Sequence, residues 1–490
     1  MKHIRFFLFL ILAVPSLTWA QTDLQFDDYF VDKTMRIDYF HTGDAQEEII
    51  AIDLVHQQGI WAGSRRTLID EFNNGRYCVK IYDDASGNLI YSKGFDSYFG
   101  EYKTTSRALQ GEKRTYHESA LIPYPKKTII FSLEVRDREN RLSPLFRRRL
   151  DPSSIDIHRD KLREGVFVFE AFKSGDPHGK VDIAVLGEGY TRQEVEKFQS
   201  DLERFTEIFF SQEPYTTYKD SFNIYGVLQT SSESGCDEPR HGIYKNTALD
   251  ATFNSLGSER YLLTENNRSM RDVAAHVPYD ALFIMVNHSR YGGGGIYNLY
   301  CTFTADNQWH KYLFLHEFGH SFGGLADEYY TSSVAYNEFY PRGVEPLESN
   351  ITALLDANNV KWKSMLTDGI ELPTPWEKEE FDRMDNAYQQ IRQELNEKIA
   401  KSKRDGAPAE EIDKAVEESE SLSLQHARRV DAYIAKSRFA GVVGVFEGAG
   451  YSSQGLYRPM LDCLMFTKGE KPFCKVCEQA IIRVIKHYLE

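Results

Sequence analysis

The run Leu313-Phe314-Leu315-His316-Glu317-Phe318-Gly319-His320-Ser321-Phe322 decides how this chain is read. It is an apolar stretch expected to be helical, and it carries His-Glu-x-x-His. Successive residues of a helix turn by about 100°, so His316 and His320 share one face about 6 Å apart along the axis, near enough for one ion. Both imidazoles can bind one Zn²⁺, and the expectation is one zinc ion per chain. Glu317 sits beside them, where a carboxylate can take a proton from metal-bound water whose pKa has fallen to about 7. Glu317 is therefore the expected general base.

A catalytic zinc needs a third protein ligand and an open position. The sequence continues Gly323-Gly324-Leu325-Ala326-Asp327-Glu328-Tyr329. A continuing helix would carry Asp327 about 10 Å away from His320, outside one coordination sphere. Paired glycines permit the positive φ that ends a helix and folds the chain back. Asp327 is the leading third ligand, with Glu328 and the more distant Glu447 as alternatives. The long metzincin pattern would put that ligand at Ala326, which cannot bind metal, so the ligand here is displaced by one residue. Downstream, Tyr457-Arg458-Pro459-Met460-Leu461-Asp462-Cys463-Leu464-Met465 offers a Met-turn, with Met465 the candidate and Met460 the substitute.

Just upstream of the helix runs Tyr291-Gly292-Gly293-Gly294-Gly295-Ile296-Tyr297-Asn298, a candidate edge strand for an extended substrate. Glycine there allows close backbone approach, although a surface loop has the same composition. Tyr457 is a candidate catalytic donor to the oxyanion of the tetrahedral intermediate. His241, His276, His288 and His310 have no ligand spacing and read as structural.

Farther out, Val181 to Leu186, the turn Gly187-Glu188-Gly189 and the run Arg192 to Phe210 read as strand, turn and helix, with further strands at Phe222 to Leu228 and Ala281 to Val286. Gly187-x-Gly189 is only a fragment of a dinucleotide fingerprint and is taken as a turn. Residues 21–150 alternate apolar and polar, as in Tyr77-Cys78-Val79-Lys80-Ile81-Tyr82, with hairpin chemistry at Asp83 to Asn88. They predict an antiparallel β-sandwich. Residues 151–178 have the Pro, Gly and Ser content of a linker, and 179–490 would form the second domain. Within it, 27 of the 63 residues from Trp376 to Arg438 are charged, while Tyr388, Ile391, Leu395 and Ile399 form a stripe. Residues 376–438 thus predict a solvated helical hairpin insertion broken at Asp405-Gly406-Ala407-Pro408. The fold class is α+β and multidomain.

At the other end, Lys2, His3 and Arg5 precede an apolar run to Val14, and Thr18-Trp19-Ala20 precedes Gln21. Residues 1–20 have the form of a signal peptide cleaved after Ala20, which predicts a secreted, periplasmic or surface-associated protein.

 Export is the whole of that expectation. The mature chain holds no second apolar run long enough to span a bilayer. Lys plus Arg at 58 against Asp plus Glu at 73 gives a formal charge of -15, which repels phosphate backbones, so nucleic acid is not an expected partner. Hydrophobic residues at 41% and charged residues at 27% are globular values and exclude a largely disordered chain. The six cysteines would meet an oxidising compartment. Cys474-Lys475-Val476-Cys477 has the spacing of a zinc knuckle or a redox pair; without a second pair, a structural disulfide is favoured, with Cys463 as one partner.

His316 to Tyr329, Glu447-Gly448-Ala449-Gly450-Tyr451, and Tyr457-Arg458-Pro459 through Cys463 and Met465 resemble the IgA peptidase family of bacterial zinc metallopeptidases. The resemblance spans about residues 178–490 together with the β-rich region before them, and it looks metzincin-like. It implies a secreted or surface endopeptidase acting on a protein or peptide substrate, with zinc held by the positions matching His316, His320 and Asp327. The founding member of that family cuts the heavy chain of immunoglobulin A, and that substrate does not carry over. The competing expectation is a secreted glycan- or host-protein-binding protein with a structural or inactive zinc site. Glu317 argues against it, because closed structural sites have no use for a carboxylate beside the first ligand.

Overall fold

The computed structural model describes residues 24–159, 161–331 and 339–489. The leader expected at 1–20 lies outside the described residues. Among the described residues no helix is long and apolar enough to cross a membrane.

The N-terminal region builds two four-stranded sheets. One runs β5-β1-β2-β8, with β1 at Phe30–Gly43, β2 at Glu48–Gln57, β5 at Arg114–Pro125 and β8 at Ile157–His158. The other runs β4-β3-β6-β7, with β3 at Tyr77–Asp83, β4 at Leu89–Phe95, β6 at Ile129–Arg136 and β7 at Leu142–Leu150. Alternation works as expected in β3 and β6: Val79 pairs with Leu133 and Ile81 with Phe131, and these side chains meet Ile37, Tyr39 and Ile122 of the first sheet in one core. The turn after β3 closes because the Asp83 carboxylate accepts from Ser86 N at 2.8 Å and Gly87 takes φ +72. One pairing departs from the antiparallel expectation, since β8 runs parallel to β2.

The stretch 151–178 is more than a linker, because it holds β8 and then β9 (Val166–Lys173). Strand β9 is an edge of a six-stranded sheet ordered β13-β14-β12-β10-β11-β9. Here β10 is Val181–Glu188, β11 Phe222–Gln229, β12 Ala281–Val286, β13 Gly293–Ile296 and β14 Tyr300–Thr304. The four inner strands are parallel, and both edge strands are antiparallel to their neighbours. Parallel strands are covered on both faces, which is why β10 reads as a continuous apolar run.

Numbering helices of two turns or more, α1 (Val195–Phe210) and α3 (His310–Ser321) cover one face of this sheet, and α2 (Asn267–Ala274) covers the other. Phe283 of β12 stacks on Phe314 and Phe318 of α3 at 4.6 Å each. Full burial of an aromatic is worth roughly 1.5–3 kcal/mol, so these rings fix the α3 axis against the sheet. On the opposite face Leu186 and Ile284 share a core with Tyr98, Phe99, Tyr102 and Tyr116 of the N-terminal region. The two regions are thus packed through a common apolar layer.

Helices α4 (Lys378–Arg404) and α5 (Ala409–Ile434) form the expected hairpin, with Gly406 at φ +68 in its turn. It is less solvated than its charge suggests. Phe381, Met384, Val430 and Ile434 enter the core that holds α3, and toward the turn Lys403 Nζ lies 3.4 Å from Glu238. Ile391, expected on the packed stripe, is 47% exposed, whereas Ile399 is buried. The chain ends in the hairpin β15 (Phe446–Ala449) and β16 (Ser452–Arg458), followed by α6 (Lys475–Leu489).

Candidate metal centre

The sequence of α3 puts its two histidines at the C-terminal end of a buried helix, and each ring is fixed through its inner nitrogen. His316 Nδ1 lies 3.1 Å from the Leu464 carbonyl, and His320 Nδ1 lies 2.6 Å from the Leu325 carbonyl. A carbonyl can only accept, so both Nδ1 atoms carry the proton and both Nε2 atoms present lone pairs. Those two Nε2 atoms are 3.2 Å apart.

Helix α3 stops because Gly324 adopts φ +59. Its amide donates to the His320 carbonyl at 3.1 Å, and Leu325 N donates to Gly319 O at 3.1 Å. This reversal brings Asp327 Oδ1 to 3.1 Å from His316 Nε2 and 3.2 Å from His320 Nε2. Asp327 Oδ1 is buried with no hydrogen-bond donor. The two Nε2 atoms and Asp327 Oδ1 therefore face one another at nearly equal separations. The edge of a tetrahedron with zinc–nitrogen and zinc–oxygen bonds near 2.1 Å is about 3.4 Å, so the donor set fits a zinc ion. The second Asp327 oxygen accepts from Tyr451 Oη at 2.5 Å.

Charge agrees with this fit. Burial works against protonating His320, but Asp327 outweighs it and pushes the ring up to about 9. Burial would raise Asp327, yet the two imidazoles hold it well below the usual carboxylate range. The pocket favours positive charge at its centre. Burial raises Glu317, partly offset by the same imidazoles. Glu317 also lies within 4.8 Å of both rings. Asp327 is nevertheless the better third ligand, since its oxygen is equidistant from both Nε2 atoms and Glu317 stands beside them as a base.

The alternative ligands point elsewhere. Glu328 is fully buried and accepts from Asn350 Nδ2 at 3.0 Å, on the side of Cys474 and Cys477. Glu447 is held in the terminal hairpin, its carboxylate accepting from Gly455 N at 3.1 Å. Tyr457 does not line the cleft: it sits on β16 opposite Glu447 and bridges to Thr352. Met465 lies under α3, where a Cβ on Gly319 would stand 2.8 Å from its sulfur. The residue before it, Leu464, is the one that holds His316.

The glycine run upstream is β13, an edge strand. A Cβ on Gly295 would stand 2.4 Å from the Glu317 carbonyl, and one on Gly293 3.0 Å from Glu317 Oε1. Glycine lets this edge lie directly on the helix that carries the ligands. Sequence reading did not find Tyr451, Arg260 or Asn74. Arg260 is half-buried in the cleft with its guanidinium 5.1 Å from the centre of the Tyr329 ring. Asn74, from the N-terminal region, donates to the Gly324 carbonyl at 3.1 Å. Only Tyr451 lies in a stretch that carries the family resemblance, and each of the three arrives from a separate part of the chain.

The expected disulfide is absent: all six cysteines are free thiols. The three expected to pair among themselves, Cys463, Cys474 and Cys477, instead gather around Glu328.

Two family models match the chain, IgA Peptidase M64 over residues 169–485 and Peptidase M64 N-terminus over residues 25–147. The first begins within β9, in keeping with the place of that strand in the six-stranded sheet. No curated protein matches the chain.

Proposed function

The chain belongs to the IgA Peptidase M64 family and is a metallopeptidase, and from that premise we propose that it is a secreted, zinc-dependent endopeptidase of metzincin-like design. His316, His320 and Asp327 would hold the zinc. The observation that carries this reading is the set of three donor atoms at 3.1–3.2 Å with Glu317 beside them. A zinc ion there would supply Lewis acidity, polarising a peptide carbonyl and acidifying water.

Glu317 takes a proton from the attacking water and passes it to the leaving amine. Its burial raises its affinity for that proton, which suits the second half of the task. Tyr451 orients Asp327 from behind. Beyond Gly293, whose backbone bonds to Arg260 and Leu262, strand β13 would pair with an extended peptide and present the scissile bond to the helix, which supports an endopeptidase. Arg260, a half-buried cation in the same cleft, would stabilise negative charge on the carbonyl oxygen in place of Tyr457. The two N-terminal sheets would form the sandwich that accompanies the peptidase, and 376–438 would be an insertion whose base has been absorbed into the core. Residues 1–20 would direct export to the periplasm, the surface or the medium.

The test is a cleavage-site profile of the mature chain on a mixed protein substrate, alongside Glu317→Gln. The substitution keeps every ligand, so zinc content should persist while turnover falls by several powers of ten. Cleavage at the wild-type rate by Glu317→Gln would overturn the mechanism, and no cleavage by the zinc-loaded wild type would favour the binding-protein reading.

A further inference from the structure

Behind the candidate metal centre lies a second cluster that the peptidase chemistry does not use. Cys463 precedes the Met465 loop, Cys474 and Cys477 flank the start of α6, and Glu328 follows Asp327. All four side chains are buried, and their ligand atoms lie within 4.8 Å of one another. Cys463 Sγ is 3.7 Å from Cys477 Sγ; Glu328 Oε1 is 3.1 Å from Cys477 Sγ and 3.9 Å from Cys474 Sγ.

We propose that Cys463, Cys474, Cys477 and Glu328 form a second, structural zinc site. For zinc–sulfur bonds near 2.3 Å a tetrahedral edge between two sulfurs is about 3.8 Å, and between sulfur and a carboxylate oxygen about 3.6 Å. The separations present lie around these values. Two further observations point to a ligand. Glu328 Oε2 is buried without a partner, at a site with no access to water. Cys463 Sγ also accepts backbone amides from Met465 at 3.4 Å and Cys474 at 3.2 Å. Amides donating to sulfur stabilise a thiolate, the form that binds metal.

A disulfide is the rival arrangement, and it leaves more groups unsatisfied. It would join two of the three sulfurs and strand the third thiol beside a buried carboxylate. A divalent ion engages all four. Three thiolates and one carboxylate around Zn²⁺ keep two negative charges, and the buried guanidinium of Arg458, which interacts with Glu328 and Cys463, offsets one. With four protein ligands the site is closed, so its role is structural.

That role touches the first site. Glu328 is bonded to Asp327 in the chain and donates its amide to the Met465 carbonyl at 2.9 Å, while Leu464 holds His316. A metal clamped by Glu328 and Cys463 fixes together the segments that position the third ligand and the first.

The experiment uses the mature chain, its His316→Ala/His320→Ala variant and Cys477→Ser, each loaded with zinc and separately with cobalt. The wild type should hold two metal ions. The histidine variant should keep one, and its cobalt form should show a thiolate-to-cobalt charge-transfer band, which a site of imidazoles and carboxylate cannot give. All six thiols should titrate once the protein is unfolded with chelator. Cys477→Ser should lose one ion and the band. The proposal is overturned if the cobalt-loaded histidine variant lacks the band or if only four thiols titrate, and both readouts stand even where Cys477→Ser does not fold. Failure of the first site is distinct: wild type and histidine variant would then both hold one ion, each with the band.

Discussion

Gly324→Ala tests whether the turn after α3 is what delivers Asp327. Gly324 has φ +59, and an L-residue in that region costs roughly 1–2 kcal/mol. The new Cβ would stand 2.4 Å from Asn74 Nδ2 and 2.9 Å from the Tyr297 ring. The Asn74 amide can swing away, but it then loses its bond to the Gly324 carbonyl, about 0.5–1.5 kcal/mol. The total is about 2–3 kcal/mol of local strain. The chain relieves it most readily by opening the turn, which draws Asp327 off the two imidazoles. Zinc affinity should then fall roughly 30- to 100-fold, since each 1.4 kcal/mol is tenfold. Competition against a chromophoric chelator reads this directly, and thermal melting of the metal-free protein reads the strain that stays in the fold. Asn74→Ala removes only the hydrogen bond, so it should weaken zinc by about tenfold at most. If Gly324→Ala melts lower by the full strain yet binds zinc as tightly as wild type, the position of Asp327 does not depend on this turn.

Tyr451→Phe removes the donor to the second oxygen of Asp327 and should weaken zinc by about 10- to 100-fold, the usual effect of losing such a support, in the same chelator competition. Asp182 is fully buried, and burial followed by repulsion from Asp280 raises its pKa. A carboxyl raised in the folded state contributes stability that is complete below its unfolded pKa of about 4 and is lost as pH climbs toward the raised value. Asp182→Asn cannot ionise, so its melting temperature relative to wild type should rise steadily from pH 5 to pH 8. A constant difference across that range refutes the assignment.

What the sequence disclosed about the site follows from how local each contact is. His316, Glu317 and His320 sit within one and a half turns of a helix, so their spacing alone places them on a shared face. Asp327 needs one further inference, a turn at paired glycines, and its neighbour Glu328 remains an alternative because adjacent carboxylates are told apart only by backbone direction. Gly324 sends one to the imidazoles and the other to Cys477. Tyr457 was read from proximity in sequence to the Met-turn, but its strand pairs it with Glu447 and Thr352, while Tyr451 at the bend of the same hairpin reaches Asp327. The cysteines show the same limit. A C-x-x-C spacing is visible, whereas the carboxylate that joins it lies 146 residues earlier than Cys474.

The N-terminal region also departs from its appearance as a separate module. Its alternating strands are legible because each satisfies itself locally, but nothing in their pattern says what the outer surface meets. Four aromatic residues, Tyr98, Phe99, Tyr102 and Tyr116, cover the back of the peptidase sheet. Asp96 N donates to the Tyr297 carbonyl at 2.9 Å, and Asn298 Nδ2 donates to Gly94 O at 2.7 Å. These bonds hold the chain between β13 and β14, while Asn74 holds the turn after α3. The region therefore grips both the glycine edge strand and the loop that carries Asp327. Glycine lets β13 approach the helix closely, and for the same reason β13 lacks the side-chain burial that would fix it. The neighbouring sheets supply that rigidity from outside, which makes them part of the support of the candidate metal centre although none of its proposed ligands lies in them.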